Sequence, residues 1–339
     1  MTGVLIRTEG RAGRITLNRP KALNALTWDM CLGVEAALDA WRDDPTVALV
    51  LIDGAGGRAF CAGGDIAEIY ATATRGDHSY AQRFWRDEYR LNRKIHHYPK
   101  PVVSFLHGFT MGGGVGIGCH ASHRIVADDS RIAMPECGIG LVPDVGGSLL
   151  LARAPGFTGT FLGLTGYRMD AGEAIFAGFA DHFIPAPHWD KVKTALLDGD
   201  PAVIPRHPAP SGTLTDWQGE IDRLFAGHSL ADIQTALSTA PGPAAAKARK
   251  LIGGNAPLAM EVAVQIIATL RQDPVIETAL DHEFRYTFRA IAQGDFIEGI
   301  RAAIIDRDHD PRWQTYGAAD VAAMTAPLGE NALIWKDSI

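Results

Sequence analysis

The chain has 339 residues, of which 47% are hydrophobic and 21% are charged, so it is long enough for one large domain or two and is not a disordered protein. Asp and Glu outnumber Lys and Arg by 39 to 32, and the resulting net charge of −7 disfavours a general nucleic-acid binder. The longest apolar stretches fall far short of the roughly 20 residues that a membrane-spanning helix requires.

The first part of the chain alternates strand-like and helix-like segments. Val4–Arg7 and Arg14–Leu17 predict a hairpin, and Thr27 precedes an amphipathic helix that it is able to cap. Three aliphatic runs predict buried strands: Val47–Ile52, Val102–Leu106 and Ile125–Ala127. Buried strands separated by helices are typical of α/β layers, so we predict an α/β core over residues 1–200.

The composition changes after a proline-rich segment at residues 201–212, which is typical of a linker. Helical periodicity then dominates, and we predict a helical C-terminal region over residues 213–320. The predicted helices are Leu214–Phe225, Leu230–Leu237, Ala244–Ile252, Leu258–Leu270, Val275–Ala292 and a last one near Phe296–Ile305.

The cysteines and histidines predict no metal site. The four cysteines are scattered without C-x-x-C spacing, which is typical of free, buried or half-buried thiols in a reducing compartment. His120 and His123 lack further ligands at recognisable spacing, so packed or capping histidines are the better interpretation. With no run that resembles a signal peptide near the N-terminus, we expect a cytoplasmic protein.

Two glycine-rich segments follow predicted strands. Gly54–Gly64 ends where Asp65 is placed to cap the next helix, and Gly112–Gly118 is placed to open another helix. Two helix N-termini after two parallel strands bring free backbone N–H groups together, and such a pair is able to hold an oxyanion. Tight turns with glycines for packing only are the alternative, and spacing alone leaves both open.

A third glycine-rich segment carries carboxylates. PECGIGLVPDVGGS places Glu136 and Asp144 in an apolar loop, where partial desolvation raises a carboxyl pKa toward usefulness as an acid or base. The alternative is that each side chain caps a turn, Asp144 ahead of a helix near Val145–Arg153. The absence of G-x-S-x-G excludes Ser148 as a nucleophile of the hydrolase-elbow type.

Several motifs in this order resemble the crotonase, or enoyl-CoA hydratase/isomerase, superfamily, and the resemblance runs from about Val4 to Trp313. The motifs are AFCAGGDI, GFTMGGGVGIG, AMPECGIGLVPDVGGS and GLTGYRMDAGEAIFAGFADHF, with RDEYRLN and DFIEGIRAAIIDRDHDPRW similar to one branch. That branch hydrolyses 3-hydroxyisobutyryl-CoA in valine catabolism. The resemblance implies repeated ββα units, followed here by the helical C-terminal region.

The resemblance also implies roles for individual residues. The backbone N–H groups of Ala62 and Gly113 would form an oxyanion hole for the thioester, and Glu136 and Asp144 would be catalytic. Glu88, which spacing alone would leave on a solvated helix face, would join Gly113, Glu136 and Asp144 in binding the substrate and accept a hydrogen bond from its 3-hydroxyl group.

Departures from the hydratase pattern favour the hydrolase branch. Typical hydratases carry a first catalytic glutamate where this chain has Gly116, and a glycine where it has Asp144. We therefore expect hydrolysis of 3-hydroxyisobutyryl-CoA, with 3-hydroxypropionyl-CoA as a second substrate to test. The alternatives are an enoyl-CoA hydratase or isomerase and a non-catalytic acyl-CoA-binding protein.

The expected partner is the acyl-CoA substrate, whose CoA is not a separate cofactor, and no other cofactor, nucleic acid or membrane is expected. Lys21 and Arg58 are candidates for contacting the CoA phosphates, although ordinary surface charges explain them equally well. The resemblance allows a homo-oligomer, because superfamily members often form trimers. A C-terminal region that folds back onto its own core is the alternative.

Overall fold

The computed structural model describes residues 3–335. Its strands are β1 (Val4–Glu9), β2 (Ala12–Leu17), β3 (Leu49–Gly54), β4 (Ala59–Cys61), β5 (Val102–Leu106), β6 (Phe109–Met111), β7 (His123–Val126), β8 (Arg131–Ala133) and β9 (His182–Phe183). They form a six-stranded sheet in the order β1-β2-β3-β5-β7-β9 and a three-stranded sheet in the order β4-β6-β8.

The two sheets are built from repeated units. β1 and β2 form the predicted antiparallel hairpin, and every other neighbouring pair is parallel. From β3 onward, each successive pair gives its first strand to the large sheet and its second to the small one. The predicted α/β class and the repeated strand–strand–helix plan are therefore confirmed.

The helices of the first part surround these sheets. They are α1 (Trp28–Arg42), α2 (Ile66–Ala73), α3 (Ser79–His96), α4 (Gly113–Gly118), α5 (Gly147–Arg153), α6 (Thr158–Thr165), α7 (Ala171–Phe176) and α8 (Trp189–Leu196). Thr27 caps α1 as predicted, accepting a hydrogen bond from the Met30 N–H. Asp65 precedes α2 without capping it, because its carboxylate pairs with Arg19 at 2.8 Å instead.

The C-terminal region is helical, as predicted. Its helices are α9 (Thr213–Leu224), α10 (Leu230–Ser238), α11 (Pro243–Ile252), α12 (Pro257–Leu270), α13 (Ile276–Gln293), α14 (Phe296–Ile300) and α15 (Ala318–Thr325). The last predicted helix widens after Ile300 into a π-helical turn over Arg301–Ile305. Residues 204–212, between the two parts, form neither helix nor strand.

The C-terminal helices pack onto the core of the same chain. One cluster of buried apolar side chains includes members of both parts, such as Leu149 of α5 and Phe284 of α13. Cys31, Cys61, Cys119 and Cys137 are buried free thiols, as predicted. Within residues 3–335, no helix combines the length and hydropathy needed to cross a membrane.

Candidate active site

The second and third glycine-rich segments, the end of the first, and helix α3 line one cavity with an empty volume of about 560 Å³. Apolar side chains from α2, α3 and α14 form much of its wall, which favours an acyl group as the occupant. The residues that line it are Ala62, Gly63, Gly64, Ile66, Ile69, Phe84, Trp85, Glu88, Met111, Gly112, Gly113, Pro135, Glu136, Ile139, Leu141, Asp144, Val145 and Phe296. All five residues that the sequence nominates for the site therefore lie on one pocket.

The backbone amide of Ala62 is already occupied. Leu23 has a left-handed backbone with φ of 51°, and its carbonyl oxygen accepts a hydrogen bond from the Ala62 N–H at 3.0 Å. An N–H group that is bound within the chain is not available to an incoming thioester oxygen. The structure therefore corrects this prediction: Ala62 lines the pocket but does not offer a free donor to it.

Gly64 offers the free amide that Ala62 lacks. Its N–H has no acceptor within residues 3–335, and neither has the N–H of Gly113, the first residue of α4. A methyl group placed on Gly113 would lie 3.4 Å from the Gly64 nitrogen, so the two amides stand side by side. The glycine-rich segments predicted two adjacent free amides at helix N-termini; Gly113 begins α4, whereas Gly64, which takes the place of Ala62, lies two residues before the first residue of α2.

Glu136 begins a short 3₁₀ turn, Glu136–Ile139, beside α4. Its Oε1 would lie only 2.9 Å from a methyl group on Gly112, whose φ of 50° also favours glycine. Its Oε2 is buried and has no partner within the described chain. Burial, with the nearby Asp144 carboxylate as the next contribution, raises the pKa of Glu136 well above its ordinary value.

Asp144 does not cap the turn before α5. Its carboxylate instead accepts a hydrogen bond from the Tyr89 hydroxyl at 2.8 Å, and its side chain is buried in the pocket wall. Burial raises the pKa of Asp144 to about 7, although the Tyr89 hydrogen bond opposes the increase. The turn-cap alternative is therefore wrong, and Asp144 carries a perturbed carboxyl group inside the pocket.

Glu88 lies on the buried face of α3, not on a solvated face as its spacing alone suggested. Its Oε1 would lie 2.6 Å from a methyl group on Gly113, so its carboxyl group is beside the free amides. Burial, and secondly the Asp144 charge, raises the pKa of Glu88 well above its ordinary value. When protonated, the Glu88 carboxyl group is able to donate as well as accept a hydrogen bond.

Position 116, where typical hydratases carry their first catalytic glutamate, has no room for a side chain. A methyl group on Gly116 would lie 2.6 Å from Asn92 Nδ2 and 2.8 Å from Val145 Cβ. Both neighbours are fully or almost fully buried, so neither has open space into which to move. A glutamate at this position therefore requires repacking of Asn92 and Val145, not just a change of residue.

Sequence reasoning missed two residues besides Gly64. Tyr89 directly follows Glu88 in RDEYRLN, but that motif suggested a role only for the acid, and nothing in it indicated that the tyrosine reaches Asp144. Phe296 of α14 lines the pocket from the far end of the sequence. An apolar residue in a C-terminal helix gives no pattern that separates pocket wall from ordinary core.

Lys21 and Arg58 line a second surface cavity together with the segment from Ala55 to Ala59. Lys21 lies in the 3₁₀ turn Pro20–Ala22, which immediately precedes the Leu23 carbonyl that binds Ala62. The two cations therefore meet in one groove, close in sequence to the glycine loops. This arrangement is suited to an anionic group, and their role remains a prediction.

The chain is also similar to known proteins over most of its length. The family model described as enoyl-CoA hydratase/isomerase matches residues 12–326. The human protein named 3-hydroxyisobutyryl-CoA hydrolase, mitochondrial, is 35% identical over 335 residues, covering 92% of this chain and 84% of the relative. The zebrafish protein of the same name is 36% identical over 333 residues, covering 94% of this chain and 87% of the relative.

Two solved structures are similar over nearly the whole chain. One, described as an enoyl-CoA hydratase from Rhodobacter sphaeroides 2.4.1, is 55% identical with a TM-score of 0.96, covering 98% of this chain and 100% of the other. The second, described as a carnitinyl-CoA dehydratase from Mycobacterium thermoresistibile, is 40% identical with a TM-score of 0.94, covering 99% of each chain. The names of these relatives therefore divide between hydrolysis and hydration or dehydration.

Proposed function

The chain belongs to the enoyl-CoA hydratase/isomerase family, and on this premise we propose that it hydrolyses the thioester of 3-hydroxyisobutyryl-CoA to the free hydroxy acid and CoA. The observation that carries the proposal is a pair of buried carboxyl groups, Glu136 and Asp144, in one apolar pocket beside two free amides. The names of the curated relatives support the same reaction. By the same reasoning, we assign the enzyme to valine catabolism.

The oxyanion hole is formed by the N–H groups of Gly64 and Gly113. The thioester oxygen accepts hydrogen bonds from both, and the charge that develops on it in the transition state strengthens them. Removing one such donor typically costs about 2.7–4 kcal/mol of transition-state stabilisation. Because the Ala62 N–H is bound to Leu23, that residue shapes the loop and does not supply a donor.

Two routes bring water to the acyl group. In one, the Glu136 carboxylate attacks the carbonyl carbon and expels the CoA thiolate, and water opens the resulting anhydride. In the other, a carboxylate takes a proton from water as it attacks the carbonyl. The Tyr89 hydroxyl stabilises charge on Asp144, whereas Glu136 Oε2 has no donor within the described chain. This difference favours Asp144 as the base and Glu136 as the acid that protonates the departing thiolate.

A single turnover in ¹⁸O-labelled water detects the anhydride route wherever water opens the anhydride at the Glu136 carbonyl. If water attacks the acyl carbonyl, the label enters the hydroxy acid in the first turnover. If Glu136 forms an anhydride and water attacks its side-chain carbonyl, the label enters Glu136 first and is detectable by mass spectrometry of the peptide that contains it. We expect the label in the product, because the geometry favours Asp144 as a base.

Hydration of an enoyl-CoA is the second candidate, because a 55% identical solved relative is described as an enoyl-CoA hydratase. Position 116 argues against hydration, because Asn92 and Val145 fill the space that a glutamate there would need. Hydration would then have to use Glu136 and Asp144, which lie eight residues apart on one loop segment. A binding protein without catalysis remains the third candidate.

The test is a free-thiol assay on 3-hydroxyisobutyryl-CoA and 3-hydroxypropionyl-CoA, run beside the loss of enoyl absorbance on crotonyl-CoA. Thiol release without loss of enoyl absorbance supports the proposal. Loss of absorbance without thiol release supports hydration, and binding without either signal supports the third candidate. The ratio of kcat/KM between the two hydroxyacyl substrates gives the acyl preference, for which one methyl group is worth only about 1–3 kcal/mol.

The remaining assignments concern binding. We assign the substrate's 3-hydroxyl group to Glu88, whose Oε1 is buried beside Gly113 and has no hydrogen-bond partner among residues 3–335. We assign the CoA phosphates to Lys21 and Arg58, which share a groove. The reaction as proposed needs only water and the acyl-CoA itself, so it calls for no separate cofactor.

A further inference from the structure

The residue that follows Asp144 has an unfavourable backbone conformation. Val145 has φ of 56° and Gly146 has φ of 75°, so two consecutive residues are left-handed. Glycine adopts this conformation freely, but a β-branched residue in it is an outlier that costs on the order of 1–3 kcal/mol. The surrounding structure must therefore stabilise the turn.

Two buried side chains hold this turn. The Glu283 carboxylate, from α13, accepts hydrogen bonds from the Gly146 N–H at 2.8 Å and the Ser148 N–H at 3.1 Å, and it also bonds to the Ser148 hydroxyl. His120 Nε2 lies 2.9 Å from the Val145 carbonyl oxygen, which is able only to accept. Burial lowers the pKa of His120 to about 3, so it is a neutral donor.

Burying a carboxyl group at position 283 costs free energy. Glu283 is fully buried, and its partners are backbone amides and a hydroxyl, none of them positively charged. Burial and the hydrogen bonds act in opposite directions on its pKa, which rises to about 8, and the nearby Asp144 charge adds to the increase.

We propose that Glu283 is a positioning residue, which fixes the Val145–Gly146 turn and thereby orients the Asp144 carboxyl group toward the pocket. Its role rests on the proposed hydrolase function of Asp144. The Tyr89 hydroxyl orients Asp144 from the side-chain end, and Glu283 does so through the backbone. Through Glu283, the C-terminal region therefore contributes to the chemistry from a residue that does not line the pocket.

Glu283→Gln tests the proposal with almost no change of shape. Each oxygen of the Glu283 carboxyl group accepts a backbone N–H, so an amide NH₂ group at either place would face another donor. We expect kcat on 3-hydroxyisobutyryl-CoA to fall between about 10- and 100-fold, the scale for a misplaced catalytic group. KM should change by less than about twofold, because no contact with the substrate is lost.

Glu173→Gln is the matched control. Glu173 is also buried, and its carboxylate accepts hydrogen bonds from the Asp170 N–H, the Leu214 N–H and the Tyr167 hydroxyl, away from the pocket. It should lower Tm about as much as Glu283→Gln does and leave kcat unchanged. Equal losses of Tm with no loss of kcat in Glu283→Gln would reduce Glu283 to a purely structural residue and overturn the proposal.

A double-mutant cycle shows whether Glu283 acts through Asp144. In an Asp144→Asn background, Glu283→Gln should change kcat by less than about twofold, because the group that it positions is already disabled. If the kcat of the double variant falls by the product of the two single losses, the proposal is overturned. Should Glu283→Gln not fold, Ser148→Ala, which removes one of the three donors, is expected to lower kcat about two- to fivefold, and an unchanged kcat would count against the proposal.

A crystal structure of Glu283→Gln separates this inference from the proposed function. If wild-type protein releases no thiol, the hydrolase assignment fails, but the geometry is still testable. We expect the variant to lose the 2.8 Å bond between Tyr89 and Asp144 as the turn relaxes. An unchanged turn with Asp144 still bound to Tyr89 would overturn the positioning role, whatever the reaction.

Discussion

The pocket takes its three carboxyl groups, Glu88, Glu136 and Asp144, from the α/β core, whereas the C-terminal helices add mainly support. Phe296 lines the pocket wall, and Glu283 binds the backbone amides of Gly146 and Ser148 in the segment that follows Asp144. The Ala256 N–H donates to the Cys137 carbonyl at 2.8 Å, directly after Glu136.

This difference shows how one site divides its requirements between two regions. The core supplies chemical groups on glycine-rich loops, which are able to approach a substrate closely but have little stiffness of their own. The helices supply buried partners for the backbone of those loops. Substitutions in the core should therefore alter catalysis directly, and those in the helices, apart from Phe296 on the pocket wall, should alter it through the loops or through stability.

The largest effect is expected for the two core carboxyl groups. Glu136→Gln and Asp144→Asn should each lower kcat by at least about 100-fold, the usual scale for lost acid–base assistance, while CoA still binds. The double variant should lose much less than the product of the two single losses, because the groups act as a unit. Thiol release and CoA titration measure both quantities; near-full activity of Asp144→Asn would remove the best chemical argument for hydrolysis.

Glu88→Met should affect substrate choice within the core, because methionine has a similar length but neither of the carboxyl oxygens, whereas glutamine would keep a donor and an acceptor. If the 3-hydroxyl group binds this side chain, kcat/KM should fall about tenfold more on 3-hydroxyisobutyryl-CoA than on the acyl-CoA without the hydroxyl, since one hydrogen bond is worth about 1–1.5 kcal/mol. Both substrates are compared in the same thiol assay. Equal losses on both would exclude Glu88 from specificity.

Two tyrosines, one from each region, make a matched pair. Tyr89→Phe removes the donor that stabilises the Asp144 carboxylate, so the pKa of Asp144 should rise. The acidic limb of the plot of kcat against pH should therefore move to higher pH. At neutral pH, kcat should fall by up to about tenfold. Tyr286→Phe removes only a bond to the Gly140 carbonyl at 3.2 Å. It should cost about 1 kcal/mol of stability and leave that limb in place. If the acidic limb moved in both variants, the core tyrosine and the C-terminal tyrosine would have the same effect on Asp144, and the distinction between the two regions would fail.

A smaller effect is expected at the groove of Lys21 and Arg58. Removing both charges should raise KM severalfold and leave kcat nearly unchanged, because contacts to the CoA phosphates are the same in the ground and transition states. Steady-state kinetics at two salt concentrations measures the increase in KM and shows how far salt screens the charges that cause it. A tenfold fall in kcat at unaltered KM would exclude this role.

The smallest effect concerns stability. The raised pKa of Asp144 means that its protonated form favours the folded state, so this contribution is complete below pH 4 and is lost as the pH rises through about 7. Asp144→Asn removes the buried charge, so its Tm should exceed that of the wild type by a few degrees at pH 8 and by less at pH 5. Calorimetry at the two pH values gives the difference; a lower Tm at pH 8 would contradict it.

Sequence patterns predicted most of the fold, because hydrophobic periodicity reports local structure. The hairpin of β1 and β2 and the helices from α9 to α13 appear almost where the sequence placed them. Asp65 was wrongly predicted as a cap, because a pattern of residue types does not show that Arg19 competes for the carboxylate. Contacts between distant residues are decided by packing, which periodicity does not report.

Sequence motifs predicted residues that line the pocket, but they did not predict the hydrogen bonds that these residues make. The glycine loops correctly predicted two adjacent helix starts, yet the choice between Ala62 and Gly64 depends on the left-handed Leu23, which brings its carbonyl onto one amide. Asp144 remained undecided between cap and pocket until Tyr89 was seen to reach it. Glu283 carries no motif at all, since its partners lie more than 130 positions earlier in the chain.

That separation has a consequence for the order of events during synthesis. Glu283 bonds to the Gly146 amide across 137 positions, so while the ribosome is still translating the intervening residues, the turn after Asp144 has His120 as a partner but lacks Glu283. The strands of both sheets precede α13 and are made first, but the active site is complete only when α13 has emerged and docked. A chain that is truncated before α13 would carry all three core carboxyl groups and still lack a completed active site.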